Sequence, residues 1–320
     1  MIKKVAAAFL MTVSCSLVAV AVEGRTHFLS LEEVLSIGNF KDNVLFQWIG
    51  VSVDDDGFLY VTDGMDYSIK KFAPKGRLVR KAGRRGQGPG EFLAPRLLDC
   101  SGKYVYATDQ SIPGIHVFDR NLTYLKRIPF SHPVGDLKAF ADGRYAVTMC
   151  TVGHSGKVLL HDEKGSILKE YHYSDAEGPV MSDWASFDFD AQYNLYVAYN
   201  FQDRIEKFDA AGDKIWSRSI LGIKKVPRKK TGPWEVPQSL VYKDLALDGC
   251  GRLYVLGGGF SRHRSRDVYV LSSEGEPQAV ITLPEKSHCI HIDRHGYLYS
   301  RANDGITLKK YKITGWDARH

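Results

Sequence analysis

A short hairpin signal returns six times along the chain at intervals of 41 to 58 residues, and a motif repeated at that spacing leaves few architectures open. Four copies read Asp-x-x-Gly, at Asp54/Gly57, Asp99/Gly102, Asp248/Gly251 and Asp293/Gly296, each set between a short apolar run and a Leu-Tyr or Tyr-Val pair. Two copies are degenerate: Phe140 replaces the acid before Gly143, and Tyr193 replaces the glycine after Asp190. An aspartate accepts backbone N–H groups two residues on, and glycine supplies the positive φ of a tight hairpin, so these residues read as structural. The flanks alternate with period two, as in Val51-Ser52-Val53 before the first turn and Phe58-Leu59-Tyr60-Val61 after it, which is strand, turn, strand. A second turn follows in every unit, at Phe72/Gly76, Phe118/Leu122, His161/Gly165, Phe208/Gly212, Leu271/Gly275 and Tyr311/Gly315.

Six units of four short antiparallel strands, with no helical periodicity, predict an all-β six-bladed β-propeller whose radial closure protects its strand edges. The blades are expected near residues 50–83, 96–129, 136–173, 186–220, 244–283 and 289–317. The sixth unit runs out of chain after its third strand. A segment near residues 26–35 is therefore expected to pair with residues 307–313, supply the missing outer strand and close the ring.

Residues 50–83, and the run Gly83-Arg84-Arg85-Gly86-Gln87-Gly88-Pro89-Gly90-Glu91-Phe92 after them, resemble the NHL repeat with its glycine-rich exit. The resemblance extends over about residues 44–313 and implies a six-bladed propeller. It implies no particular activity, because one fold hosts many functions. The glycines at 86, 88 and 90 open no helix and read as an inter-blade linker rather than an anion cradle.

Residues 1–21 carry Lys3 and Lys4, then apolar runs at 5–13 and 17–20, and end in Ala19-Val20-Ala21. That is the pattern of a cleaved export signal, leaving a single propeller domain over 22–320 in a periplasmic or extracellular setting, with no transmembrane segment after cleavage. A retained anchor would need the span of roughly 18 apolar residues to cross a bilayer, and a lipid anchor through Cys15 lacks the leucine expected three residues earlier. Loss of the two leader lysines lowers the formal charge from +6 to +4, a mildly basic balance that disfavours nucleic acid as the partner. The four remaining cysteines would suggest disulfides in an exported chain. Yet Cys100 and Cys250 fall in opposed blades, as do Cys150 and Cys289, far beyond the roughly 7 Å a bridge allows. Four free thiols are expected.

The first strand of each blade should line the central channel. Counting back from the turns places Ser52, Lys138, Asp188, Ala246 and His291 at equivalent channel positions, with blade two contributing near Leu97. Lys138 and Asp188 come from adjacent blades and are expected to pair. Asp188, His291 and Lys138 are also the candidates for acid–base chemistry, or for two of the three ligands a catalytic metal usually needs. Gly-x-Ser-x-Gly, His-Glu-x-x-His and phosphate-loop motifs are absent from the sequence.

Basic residues cluster elsewhere: Lys224, Lys225, Arg228, Lys229 and Lys230 in the connection from blade four to blade five, and Arg262, Arg264 and Arg266, with His263, in the loop between the second and third strands of blade five. Both segments should emerge on one face, in contact, with Trp184 and Trp234 nearby. Such a surface suits an anionic glycan or other polymer, while a merely solvated loop is the plain alternative. The expectation is a non-enzymatic, monomeric, exported module without a cofactor, presenting a ligand or protein-partner site over residues 221–241 and 257–267. The alternative is a channel-centred lyase or lactonase using a divalent metal.

Overall fold

The computed structural model describes residues 29–39, 41, 44–45, 47–149, 156–174 and 179–316. Six four-stranded antiparallel sheets form the blades of a ring, with inner strands Trp48–Val53, Pro95–Ser101, Val134–Ala139, Ala185–Phe189, Tyr242–Leu247 and Ile290–Ile292. The described residues contain no helix, hence none long and apolar enough to cross a membrane. Residues 1–21, the expected leader, with Cys15, lie outside them.

The turn aspartates act through both oxygens. In Asp54, Asp190, Asp248 and Asp293 one oxygen accepts the amides two and four residues on, at 2.9–3.0 Å. The other accepts the hydroxyl of a tyrosine on the second strand: Tyr60 at 3.0 Å, Tyr196 at 3.3 Å, Tyr254 at 3.2 Å and Tyr299 at 2.8 Å. The recurrent tyrosine is thus part of the turn. It buries its ring completely and its hydroxyl finds the partner that burial demands.

Blade two breaks this rule, and with it the inner-strand alignment. Its inner strand runs on to Ser101, which sits opposite Tyr104 across the two-residue turn Gly102–Lys103. Gly102 has φ 56°, and a Cβ there would lie 2.3 Å from the Ala141 carbonyl oxygen. Ser101 therefore occupies the place of the turn aspartate. Asp99 is a strand residue two positions earlier, and Cys100 lies in the strand rather than at the turn. The residue equivalent to Ser52 is Asp99, not Leu97. A shift of two residues preserves which side chains face which side, so the apolar alternation could not expose the error.

Strand Ser30–Ile37 pairs antiparallel with Leu308–Thr314, from Ser30↔Thr314 to Ile37↔Leu308, as the outer strand of blade six. The ring is closed by an N-terminal strand, as expected; residues 26–28 of the anticipated segment lie outside the described residues. Leu31 packs on the core shared by blades five and six, among them Leu298 and Tyr311. Leu35 and Ile37 pack over Gly76 of blade one. One strand thereby grips both the last blade and the first.

Between blades the cores are aromatic. Tyr171 and Tyr173 of blade three pack with Phe187, Phe189 and Val197 of blade four, each large side chain contributing about 2–3 kcal/mol by leaving water. Cys100, Cys250 and Cys289 are free thiols; Cys150 lies outside the described residues. The glycine-rich run closes on itself: Phe92 is fully buried, Gly86 N–H donates to its carbonyl at 3.0 Å, and Gly88 N–H donates to the Glu91 carboxylate at 2.9 Å. An acid of the chain's own already occupies the amide an external anion would need.

Candidate functional site

The channel is sewn by carboxylates. Asp99 accepts the amide of its own neighbour Cys100 at 2.9 Å and, with its second oxygen, Ala139 N–H of the next blade at 2.8 Å. Asp136 bridges Leu137 and Phe187 in the same way, Asp188 bridges Phe189 and Leu247, and Asp244 bridges Leu245 and Ile290, all at 2.8–3.0 Å. Ser52 plays the part between blades one and two: its Oγ donates to Asp99 at 2.6 Å and accepts from Cys100 N–H at 3.2 Å. Ser52, Asp99 and Asp188 belong to one layer of the channel, and Asp136 and Asp244 to a layer two residues earlier. The sequence reading found Asp188 but missed Asp99, Asp136 and Asp244. The available signal was the recurrence of aspartate inside otherwise apolar inner strands.

Lys138 Nζ lies 2.7 Å from Asp188. Asp188 is consequently committed to one lysine and two amides. Its neighbours enclose a cavity of about 110 Å³, in which His291 sits half-buried; burial lowers the pKa of His291, so its ring is neutral at neutral pH. Among the described residues, no group of three or more His, Cys, Asp or Glu side chains is placed to hold a metal ion.

Burial pushes Asp136 up to about 7, against the pull of its two amide donors. Asp244 is pushed well above the usual carboxylate range by burial and then by Asp136. A folded pKa above the unfolded one means the folded state holds that proton more tightly. Its stabilising contribution is present below about pH 4 and lost as pH rises through about 7. Relative to Asp136→Asn, the wild type is expected to lose on the order of 2 kcal/mol between these limits, less than full conversion because the side chain is only half-buried. Urea midpoints of both proteins across that range check it, and parallel curves would refute the assignment.

The opposite feature, the basic segment, is structured. Residues 228–237 form a separate hairpin, Arg228–Thr231 paired with Trp234–Pro237 across Gly232 and Pro233. Asp203, from the loop between the second and third strands of blade four, fixes its approach by accepting the amides of Ile220, Leu221 and Ile223 at 2.9–3.1 Å. Burial would raise the Asp203 carboxyl, but the Tyr242 hydroxyl and these amides outweigh it and hold it below the usual range. At its far end the connection meets the blade-five loop through Gly258 N–H to Val241 O, 2.7 Å, and Gly259 N–H to Leu240 O, 2.9 Å. These two bonds join the connection to the blade-five loop beside their basic stretches.

Their side chains divide into two groups. Arg228 donates to the carbonyls of Glu235, at 3.1 Å, and Val180, and Arg266 donates to the Leu283 carbonyl at 2.7 Å; both are spent on the scaffold. Lys224, Lys225, Lys229, Lys230, Arg262 and Arg264 are exposed, and none forms an ion pair among the described residues. Trp234 is 51% exposed on the hairpin. Trp184 is half-buried against Phe201, 6.3 Å between ring centres, and lines a different cleft. A groove of about 800 Å³ beside the hairpin is lined by Lys224, Lys225, Arg228, Arg204 and Lys214 against Asp203 and Asp213.

Residues 30–218 match a protein family described as 6-bladed beta-propeller. No curated protein matches the chain significantly. Among solved structures the chain is similar to virginiamycin B lyase from Staphylococcus aureus, with a TM-score of 0.55 and 13% identity over 89% of this chain and 99% of that one. It is similar to the PQQ-bound aldose sugar dehydrogenase from Streptomyces coelicolor, TM-score 0.57 and 13% identity over 89% and 98%, and to the WD40 repeats of RRP9, TM-score 0.56 and 13% identity over 88% and 100%. Likeness at such identities speaks for fold alone.

Proposed function

Because the chain belongs to the 6-bladed β-propeller family, whose scaffold leaves function to its loops, we propose that it is an exported binding module for an anionic glycan or similar polyanion. Its site is the face built by residues 221–241 and 257–267. One observation carries the reading: six exposed cations, in no ion pair among the described residues, are presented by the connection leading into a hairpin, by the hairpin itself and by the blade-five loop. Exposed cations elsewhere are either matched, as in Lys81–Asp66, Arg218–Glu276 and Lys309–Glu33, or scattered over the surface, as are Lys75, Arg80 and Lys286; these six are concentrated in two short segments. Arg262 and Arg264 offer forked donors to sulfate, carboxylate or phosphate groups. Trp234 adds an exposed ring face on the hairpin. The glycine-rich exit of blade one supports kinship with NHL-type repeats, and the leader at 1–21 supports export.

For the alternative of an enzymatic channel, Asp188 is already held by Lys138, Phe189 and Leu247, which leaves the neutral His291 on the cavity as its base. The test is retention on immobilised heparin. Wild type should bind at low salt and elute on a salt gradient, as multivalent ionic contacts do, whereas a Lys224→Glu, Lys225→Glu, Lys229→Glu, Lys230→Glu variant should flow through with an unchanged melting curve. Equal retention of the two proteins would place the site elsewhere.

A further inference from the structure

Over blade three, between the connections that enter and leave it, lies a second cleft of about 440 Å³, within the size range of small-molecule sites. Its walls are apolar and aromatic: Phe130, Met149, Leu159, Tyr173 and Trp184. His161 borders it, stacked on Tyr145 with ring centres 4.9 Å apart and 3° between planes, and edge-on to Phe130 at 5.5 Å. Its Nδ1 lies 3.1 Å from the Leu159 carbonyl, and burial lowers its pKa, so it contributes a neutral ring.

Two polar groups on this lining lack what they need. The indole Nε1 of Trp184 is buried and has no hydrogen-bond partner, a rare condition for a buried donor. Arg96 is half-buried and forms no direct ion pair among the described residues, acting on the buried Asp136 only at longer range, whereas Lys157 on the same cleft is matched by Glu170 at 2.9 Å. The sole carboxylate on the lining is Asp183. A guanidinium fork on a lining of rings suits a planar oxyanion attached to an apolar body.

We infer that this cleft binds a small aromatic carboxylate, with Arg96 as the anion anchor and Trp184, Phe130 and Tyr173 as walls for the ring. The site is independent of the polyanion face, because it uses none of the six exposed cations.

The experiment is calorimetric titration of the full chain with phenylacetate, indole-3-acetate and the uncharged phenylacetamide, with tryptophan fluorescence read in parallel. Both acids should bind one to one with Kd of about 1 mM or tighter, as fragments of this size do in a preformed pocket, and the amide should bind at least about ten-fold more weakly. Arg96→Gln should lose about ten-fold for the acids and nothing for the amide, and Arg96→Lys should recover part of that loss. Trp184→Phe should weaken the acids and abolish the ligand-induced fluorescence change. Absence of saturable binding by either acid, or equal affinity for acid and amide in the wild type, overturns the inference without depending on any variant's folding. Loss of acid binding in the quadruple lysine variant would overturn it too, by moving the site to the basic face.

Discussion

Deletion of residues 30–37 is expected to abolish the cooperative thermal transition and leave an aggregating, partly ordered chain. The seven register pairs with Leu308–Thr314 disappear, Leu31 leaves the core of blades five and six, and Gly76 of blade one loses the cover of Leu35 and Ile37. Blade six would then present Leu308–Thr314 as a bare edge, a template for pairing between molecules. Pairing, burial and ring closure together exceed about 5 kcal/mol, comparable to the whole stability of an ordinary domain. Circular dichroism melts and light scattering check the result, with Leu31→Asp as an intermediate step. A deletion variant melting within about 5 °C of wild type would show that the other blades hold the ring without this strand.

The second large effect is expected at Asp188→Ala, at about 3 kcal/mol. The substitution strips Leu247 N–H of its acceptor across the blade-four to blade-five junction and leaves Lys138, whose side chain is only 29% exposed, without its counter-ion. Residual solvent contact keeps the loss below that of a fully buried pair. Replacing both partners by apolar residues, Lys138→Met with Asp188→Leu, should restore at least half of it, because no uncompensated charge remains. Denaturant midpoints of Lys138→Met, Asp188→Leu and the double give the coupling directly. A double variant as unstable as Asp188→Ala would show that the amide staple, not the ion pair, carries the effect.

The architecture was legible because its signals are local: an aspartate that caps its own turn and a glycine that permits it recur at positions the eye can count. The closing strand followed from a deficit, a sixth unit one strand short. Blade two defeated the same logic, since Asp99-Cys100-Ser101-Gly102 spells the turn motif while Ser101 and Gly102 alone make the turn. The staples of Asp99, Asp136 and Asp244 were illegible for a different reason. Each joins amides in blades some forty to fifty residues apart in sequence, and nothing in the local pattern separates an aspartate that caps a neighbour's backbone from one in solvent. At the basic face, residue type exposed the charge but not its use: Arg228 and Arg266 are bound to carbonyls, while Lys224, Lys225, Lys229 and Lys230 stay in solvent. Arg96 carried no signal at all, being a lone arginine at the start of an inner strand.

Ser30 faces Thr314 at the same end of the closing pair, their hydroxyls 2.7 Å apart, and this sets how the ring answers a mechanical load. Tension applied through the two ends of the chain bears first on that single rung and then on each rung in turn toward Ile37↔Leu308. The seam opens like a zipper instead of shearing all its hydrogen bonds together. A molecule tethered at both ends would therefore yield at low force by releasing blade six, whereas a pull applied within a blade, across its paired strands, would meet many bonds at once.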